Sequence, residues 1–284
     1  MKVKYECIEC LTRQTVTLAK KLSDDKKRQE EVISFGLKTL SEQAFSQTPP
    51  YITGQVYKYA KNLTGIEDPF KEEKEDHNKI AINLIDDLNL KKRILASDDK
   101  FDTAVRLSIA GNIIDFSVGY AIDEAKVEES INGSLTSKIY GKQTSDLKEA
   151  IGQAENILFL ADNAGEIVFD QLLVSLLPKK KVTYAVKGGP IVNDATMKDV
   201  REVGMDKLVK TVETGSSIQG TVLEDCHQDF RDSFENADLI ISKGQANFET
   251  LNHREDKNIF FMLRAKCQCI ADEIGCNHLD FVIV

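Results

Sequence analysis

The sequence lacks three features that would by themselves assign it to a class of protein. No stretch approaches the roughly eighteen consecutive apolar residues that a membrane-spanning helix needs. The start, MKVKYECIEC, has neither the apolar stretch nor the small-residue cleavage site of a secretory signal. A surplus of positive charge is also missing, since 37 Lys and Arg stand against 46 Asp and Glu. We therefore expect a cytoplasmic protein that binds neither membrane nor nucleic acid, although a few local lysines could still hold a small phosphorylated ligand.

Low-complexity segments and convincing internal repeats are absent as well. The 284 residues include 42% hydrophobic and 29% charged side chains, a balance that excludes the disordered and fibrous classes. A chain of this length can bury a full core, and we expect one or two domains.

Six cysteines are present, and in a reducing compartment they favour free thiols or metal ligands over a disulfide framework. Cys7 and Cys10 form a C-x-x-C pair, and Cys267 and Cys269 form a C-x-C pair. Each pair is half of a plausible thiolate site, so the four residues are candidates for a structural zinc ion. Buried thiols that only pack as small apolar side chains are an equally ordinary interpretation.

The sequence pattern changes near residue 155. Before it, stretches such as LTRQTVTLAKKL repeat apolar residues three and four positions apart, which predicts amphipathic helices. After it, helical segments alternate with short apolar runs that predict five buried strands and a likewise apolar sixth: NILFLAD, KVTYAVKG, KLVKTVETG, DLIISKG, NIFFMLRA and HLDFVIV. This alternation predicts an α/β fold with a Rossmann-like, mostly parallel sheet and helices on both faces. We expect an N-terminal all-helical domain over 1–155, forming the roof of the site, and an α/β domain over 156–284.

Polar residues cluster where the predicted strands end. In such a sheet, ligands bind beyond the carboxyl ends of the strands, where helix N-termini point their N–H groups at anions. Five consecutive strand ends carry DNAGE, KGGP with ND shortly after it, ETGSS, SKGQAN and RAK. We expect these carboxylates, carboxamides, lysines and glycines to converge on one edge of the domain. That convergence carries more weight than any single motif.

The chemistry of these residues suggests a division of roles. Asp162, Asn163 and Asp194 offer hard oxygen ligands suited to Mg²⁺ or Mn²⁺. Lys243 can place a point charge on a phosphoryl group, while glycine N–H groups approach its oxygens closely. DNAG alone is also an ordinary turn and helix cap. The wider set of candidate substrate- and phosphate-binding residues is Asn112, Asp115, Glu166, Gly215, Ser216, Gly244, Gln245, Asn247 and Lys266.

A polar pair interrupts an apolar stretch in the helical half. Asn112 and Asp115 are three residues apart and share one face of a predicted helix. Buried polar pairs are costly unless they are satisfied, so the pair either ties helices together or faces the site from above and touches the substrate or a water molecule on the metal.

Nucleotide or cofactor binding without hydrolysis is the competing function, because many cofactor-binding proteins share this topology. The first predicted strand is followed by DNAGE, however, and the glycine-rich G-x-G-x-x-G turn is missing. A third interpretation, a cysteine-based metal-binding module, leaves the five strand-end clusters unexplained.

As an ordered set, these motifs resemble the damage-control phosphatases, also called domain of unknown function eighty-nine, in their cysteine-containing microbial branch. The resemblance spans CIEC, GNIIDF, LADNAGEIVFD, VKGGPIVNDAT, ETGSSIQGT, SKGQANFETL and AKC. It implies hydrolysis of phosphomonoesters of small metabolites, such as sugar phosphates, nucleotides or damaged phosphometabolites, dependent on Mn²⁺, Ni²⁺, Co²⁺ or Mg²⁺.

Carried over to matching positions, the resemblance implies that Asp162, Asn163 and Asp194 hold the metal and that Lys243 binds phosphoryl oxygens. The favoured mechanism is attack by a water molecule while the metal and Lys243 neutralise the developing charge. Direct attack by Asp162, giving an aspartyl-phosphate, is the alternative.

Overall fold

A computed structural model describes residues 1–112 and 124–284, with the backbone alone for 124–127. Asp115 therefore lies outside the described residues. Helices in the described ranges are α1 Tyr5–Leu22, α2 Lys26–Gln43, α3 Pro49–Thr64, α4 Lys71–Asp87, α5 Leu90–Ala96, α6 Lys100–Gly111, α7 Glu124–Ser134, α8 Thr144–Gln153, α9 Glu166–Val174, α10 Met197–Val203, α11 Gln228–Glu235, α12 Gln245–Leu251 and α13 Gln268–Ile274. Strands are β1 Ile139–Gly141, β2 Ile157–Leu160, β3 Val182–Val186, β4 Lys210–Glu213, β5 Leu239–Lys243, β6 Ile259–Arg264 and β7 Phe281–Ile283.

The strands form one sheet in the order β1-β7-β6-β5-β2-β3-β4. Strands β2 to β6 run parallel, whereas β7 pairs antiparallel with β6 and parallel with β1. The prediction of a mostly parallel sheet is confirmed.

Each central strand is apolar on both faces, as a sheet covered on two sides requires. In β2, Ile157 and Phe159 join a core with α4, α6, α9 and α10, while Leu158 and Leu160 join a second core with α11, α12 and α13. Alternate residues therefore bury against opposite helical layers, which is the period-2 geometry of a strand.

The first three helices pack on one another and then against the α/β part. Leu18, Val32 and Val56 meet in a small core of their own. Helix α3 also contacts α12, and Gly54 in α3 packs directly on the Ile218 side chain. These helices thus lie over the loops at the carboxyl ends of the strands.

Among the described residues of the N-terminal half, the helical prediction is correct except at β1. Residues 139–141 form a short edge strand on β7, although they precede the predicted boundary at residue 155. The boundary itself stays a prediction. No helix in the described parts of the chain combines the length and apolar character needed to cross a bilayer.

Candidate active site

The candidate site lies at the carboxyl ends of β2 and β5, where the direction of the chain across the sheet reverses. From β2 the chain passes through α9 to β3 on one side, and from β5 it passes through α12 to β6 on the other. The two connections diverge and leave a crevice between the strand ends, which is the usual place for a ligand in an open α/β sheet.

Two carboxylates and two carboxamides meet in this crevice. Asp162 Oδ2 accepts hydrogen bonds from Asn112 Nδ2 at 3.0 Å and from Asn163 Nδ2 at 2.8 Å. Glu166 Oε2 accepts from the same two amide nitrogens, at 2.7 and 3.2 Å. Asn112 is the C-cap of α6 and Glu166 begins α9, and the four side chains are buried. The structure therefore brings these four predicted site residues together.

Gly244 allows the two strand ends to approach closely. Its φ of 78° lies in the left-handed region, and a Cβ at this position would be 1.8 Å from Asp162 Oδ2. Any other residue would displace the Asp162 carboxylate, so the requirement is both conformational and steric.

Asp194 is placed beside Asn163 by backbone pairing between two loops. Ala195 N donates to Asp162 O at 2.8 Å, and Ala164 N donates to Asn193 O at 2.9 Å. Asp194 is fully buried, and its Oδ2 lies 3.6 Å from Lys187 Nζ. The three predicted metal ligands are thus neighbours at the same edge of the sheet.

Lys243 points away from the crevice into the core. Its ammonium donates to Glu166 Oε1 at 2.6 Å, Asp170 Oδ1 at 2.5 Å and Ser108 O at 3.0 Å, so all three protons have acceptors. Burial alone would lower the pKa of Lys243, but the two carboxylates outweigh it and raise that pKa above its ordinary value. This placement differs from the predicted contact with phosphoryl oxygens: Lys243 lies behind Glu166.

A cavity of about 420 Å³ opens in front of the crevice. Asp162 and Asn163 line its floor, and α1 and the start of α3 form its roof. Two cationic side chains, Lys266 and Arg13, line it as well. Glu249 also lines it, and burial raises the pKa of this carboxyl to about 8, so it is largely uncharged at neutral pH.

A model of the damage-control phosphatase ARMT1-like domain matches residues 3–282. The chain belongs to this family. A damage-control phosphatase of Pyrococcus horikoshii is 37% identical over 282 residues, which cover 96% of this chain and 94% of that protein. One of Archaeoglobus fulgidus is 34% identical over 289 residues, covering 99% and 98%. The crystal structure of a DUF89 family protein from P. horikoshii matches with a TM-score of 0.89 at 35% identity, covering 100% of this chain and 99% of that one.

These likenesses confirm the family resemblance and the fold predicted from the sequence, and they show that the chain is an enzyme, a phosphatase. The competing interpretation as a non-hydrolytic cofactor-binding protein is not retained.

The remaining predicted site residues of this phosphatase fall into two groups. Gln245 lines the 420 Å³ cavity, and its Oε1 accepts from Lys266 N at 2.9 Å. Asn247 is fully buried and ties two strand ends together, since Nδ2 donates to Ala161 O and Lys243 O at 3.1 and 2.8 Å. Gly215 lines a separate cavity, and the Ser216 hydroxyl donates to Asp225 Oδ2 at 2.6 Å. The structure does not bring Gly215 and Ser216 into the crevice.

Sequence reasoning missed Asp170, and it placed Lys187 at the second strand end without giving it a role. Asp170 accepts from Lys243, from Ser108 Oγ at 2.7 Å and from the Tyr184 hydroxyl at 2.8 Å. Burial raises its pKa, against the opposing effect of Lys243. The signal was present, because Asp170 follows Glu166 by four positions and so shares its face of a mostly apolar helix.

The oxygen-rich crevice fits a divalent cation. Asn112 Oδ1 is buried and has no hydrogen-bond partner among the described residues, although it belongs to the amide that contacts both carboxylates. Among the described residues, buried carboxyl groups also outnumber buried ammonium groups around the crevice, by four to two. These side chains are Asp162, Glu166, Asp170, Asp194, Lys187 and Lys243. Hard oxygen ligands in so acidic a setting suit a divalent cation.

All four cysteines of the predicted zinc site line the same cavity as Asp162. Cys7 Sγ lies 3.9 Å from Cys269 Sγ, and burial, with the neighbouring Cys7 second, raises the pKa of Cys269 to about 12. Within the described residues, no three His, Cys, Asp or Glu side chains are already gathered as a metal site.

Proposed function

We propose that this phosphatase is divalent-metal-dependent and hydrolyses phosphomonoesters of small polar metabolites. Asp162, Asn163 and Asp194 would hold the ion, which is Mn²⁺, Ni²⁺, Co²⁺ or Mg²⁺ by the resemblance to the family. The observation that carries the proposal is the cluster of hard oxygen ligands in a crevice where, among the described residues, buried carboxyl groups outnumber ammonium groups by four to two.

A divalent cation held there supplies Lewis-acid polarisation of a phosphoryl group and stabilisation of its developing charge. The chain supplies the rest. Lys266 brings a positive charge to the cavity wall, in place of the role first predicted for Lys243. Phosphoryl transfer depends mainly on positioning and charge neutralisation, and Lys266 serves both by holding the substrate oxygens opposite Asp162.

Lys243 and Asp170 act from behind the site. With its protons shared among Glu166, Asp170 and Ser108, Lys243 fixes Glu166 Oε1 and leaves Oε2 facing Asn112 and Asn163. This contact orients the carboxylate beside Asp162 without any contact between Lys243 and substrate.

Attack by a water molecule is favoured over attack by Asp162. Asp162 Oδ2 is already held by two amides and by the close approach of Gly244, and a carboxylate that also ligates a cation is a weaker nucleophile. Trapping of a phosphoenzyme would reverse this preference.

The cavity lining favours sugar phosphates and similar polar phosphometabolites over nucleotides. Among the described residues that line it, no side chain is aromatic, so none offers a stacking platform for a base. Carboxylates, amides and two cations can instead hydrogen-bond hydroxyl groups. The volume of about 420 Å³ suits a small substrate.

The test is a metal titration of turnover and of binding for the wild type and Asp162→Asn. Chelation should abolish hydrolysis of sugar phosphates, and Mn²⁺, Co²⁺, Ni²⁺ or Mg²⁺ should restore it. Asp162→Asn keeps the size of the side chain but removes its charge, so calorimetry should show weaker Mn²⁺ binding and the rate should need more metal.

The exposed Asp98→Asn is the matched control and should titrate like the wild type. Full activity of a chelator-treated, metal-free protein would overturn metal dependence. Normal Mn²⁺ binding by Asp162→Asn would show that the ion is held elsewhere.

A further inference from the structure

The cysteines bring together two parts of the chain that lie 260 residues apart. Cys7 and Cys10 are on α1 of the roof, whereas Cys267 is the N-cap of α13 and Cys269 lies in its first turn. All four line the same cavity. The other two cysteines, Cys226 and Cys276, belong to or pack against the core under α11, α12 and α13.

The spacing of the closest pair matches shared metal ligation. Cys7 Sγ and Cys269 Sγ are 3.9 Å apart. Two thiolates on one tetrahedral zinc ion, with Zn–S bonds of about 2.3 Å, lie about 3.8 Å from each other. A disulfide would use only this pair and would leave Cys10 and Cys267 without a role.

Three of the four sulfur atoms also accept N–H groups. Lys4 N donates to Cys7 Sγ at 3.4 Å, Gln14 Nε2 to Cys10 Sγ at 3.5 Å and Gln245 Nε2 to Cys267 Sγ at 3.5 Å. Hydrogen bonds of this kind stabilise thiolates and orient ligands from outside the coordination sphere.

We propose that Cys7, Cys10, Cys267 and Cys269 form a second metal site, which takes a thiophilic divalent cation such as Zn²⁺ and fastens helix α1 to the start of α13. Residues three apart on a helix have Cβ atoms about 5–6 Å apart, so a rotation of the Cys10 side chain about χ1 is needed to bring its sulfur to the ion that Cys7 holds. The Cys267 side chain has to turn toward Cys269 as well, since among the described residues no three such ligands are gathered before these rotations. Binding converts the thiols to thiolates and releases their protons to solvent.

This sulfur site differs in chemistry from the oxygen crevice. It is proposed independently of whether hydrolysis depends on a metal. The ion would connect α1, above the cavity, to the start of α13 in the cavity wall, beside Lys266. The same ion would stabilise the folded chain, because the unfolded chain does not hold the four sulfurs together.

Cobalt spectroscopy separates the two sites. Reduced, chelator-treated protein with one equivalent of Co²⁺ should develop the near-ultraviolet sulfur-to-cobalt charge-transfer band and tetrahedral visible bands, which an oxygen site lacks. The bands should be lost in Cys7→Ser and weakened in Cys10→Ser, whose half-buried position makes misfolding a poor explanation. They should persist in Cys226→Ser, Cys276→Ser and Asp162→Asn.

Zinc content gives the second readout. One equivalent of zinc should remain with the wild type and with Asp162→Asn after dialysis, and most of it should be lost from Cys10→Ser. The proposal is overturned if the charge-transfer band is absent in protein with six titratable thiols, or if Cys7→Ser and Cys10→Ser retain the band. It is equally overturned if protein isolated without reductant has four titratable thiols and a Cys7–Cys269 disulfide with no zinc.

Discussion

At the scale of single residues, the face of a strand on which a side chain lies decides its role. Leu239 and Ile241 of β5 belong to the core under α9, and Lys243 continues their alternation on the same face. The prediction placed Lys243 correctly at a strand end but assigned it to the phosphate. Its position in the alternation would have directed it toward Glu166 and Asp170. The sequence reveals a strand end more readily than the direction of its last side chain.

Replacement of Lys243 should therefore act first on stability. Lys243→Met leaves Glu166 and Asp170 buried without their shared cation, at a cost of about 3–5 kcal/mol in the free energy of unfolding. Urea denaturation should show this loss. The exposed Lys198, ion-paired with Glu75, is the matched control, and Lys198→Met should change stability little. Equal stability of Lys243→Met and the wild type would contradict the buried ion pairs described here.

Gly244→Ala tests the close approach at the crevice. The added Cβ would lie within bonding distance of the Asp162 carboxylate, in a backbone conformation that alanine avoids. We expect kcat/KM to fall at least a hundred-fold, because a displacement of about 1 Å in a catalytic site can cost that much. Gly152→Ala is the control: nothing lies within 4 Å of its Cβ, and this change within α8 should leave activity intact. Retention of normal kcat/KM by Gly244→Ala would contradict the geometry.

At the scale of elements, the contact between α6 and α9 places both Asn112 and Glu166. Gly111 is the last residue of α6, and a Cβ there would lie 2.7 Å from Phe169 Cβ in α9. The glycine in GNIIDF thus lets one helix approach the other closely enough for the Asn112 amide to reach Asp162. Sequence reasoning identified Asn112 through its polarity but gave no reason for the glycine beside it.

Gly111→Ala should separate these helices. Overpacking of this kind costs about 1–3 kcal/mol, and the displaced Asn112 should lower kcat/KM as well. Urea denaturation and steady-state kinetics measure the two effects. In Gly133→Ala, where the added Cβ meets nothing within 4 Å, neither quantity should fall. If Gly111→Ala is less stable but its kcat/KM is unchanged, the close packing of α6 on α9 contributes to stability and not to catalysis.

The same scale shows the limit of the strand predictions. The five central strands and β7 were predicted because apolar runs alternate with helical segments. Strand β1 has only three residues, of which Ile139 alone is buried, so it carries no periodicity. Its pairing with β7 depends on a partner 142 residues away, and local sequence does not encode such a contact.

At the scale of the whole molecule, the free energy of unfolding should decrease from acidic to neutral pH because the Glu249 carboxyl titrates in this range. Burial raises the pKa of this carboxyl from 4.5 to about 8. Between those values the unfolded chain has already lost the proton that the folded chain retains, so the free energy of unfolding falls as pH rises. The stabilisation is complete below about pH 4.5 and is lost through about pH 8.

Urea denaturation across this pH range measures the effect. Glu249→Gln removes the titration and should flatten the decline, whereas the exposed Glu255→Gln should leave the wild-type slope unchanged. An identical slope in the wild type and Glu249→Gln would exclude this residue as the cause.

The reversal of chain direction between β2 and β5 also has a consequence during protein synthesis. Glu166 and Asp170 of α9 are synthesised 77 and 73 residues before Lys243, the cation that pairs with both of them in the folded chain. Burying them earlier would place unpaired charge in the core, which is strongly unfavourable. We therefore expect helix α9 to dock on the sheet only after β5 has been translated, so that this edge of the sheet is completed late in the growth of the chain.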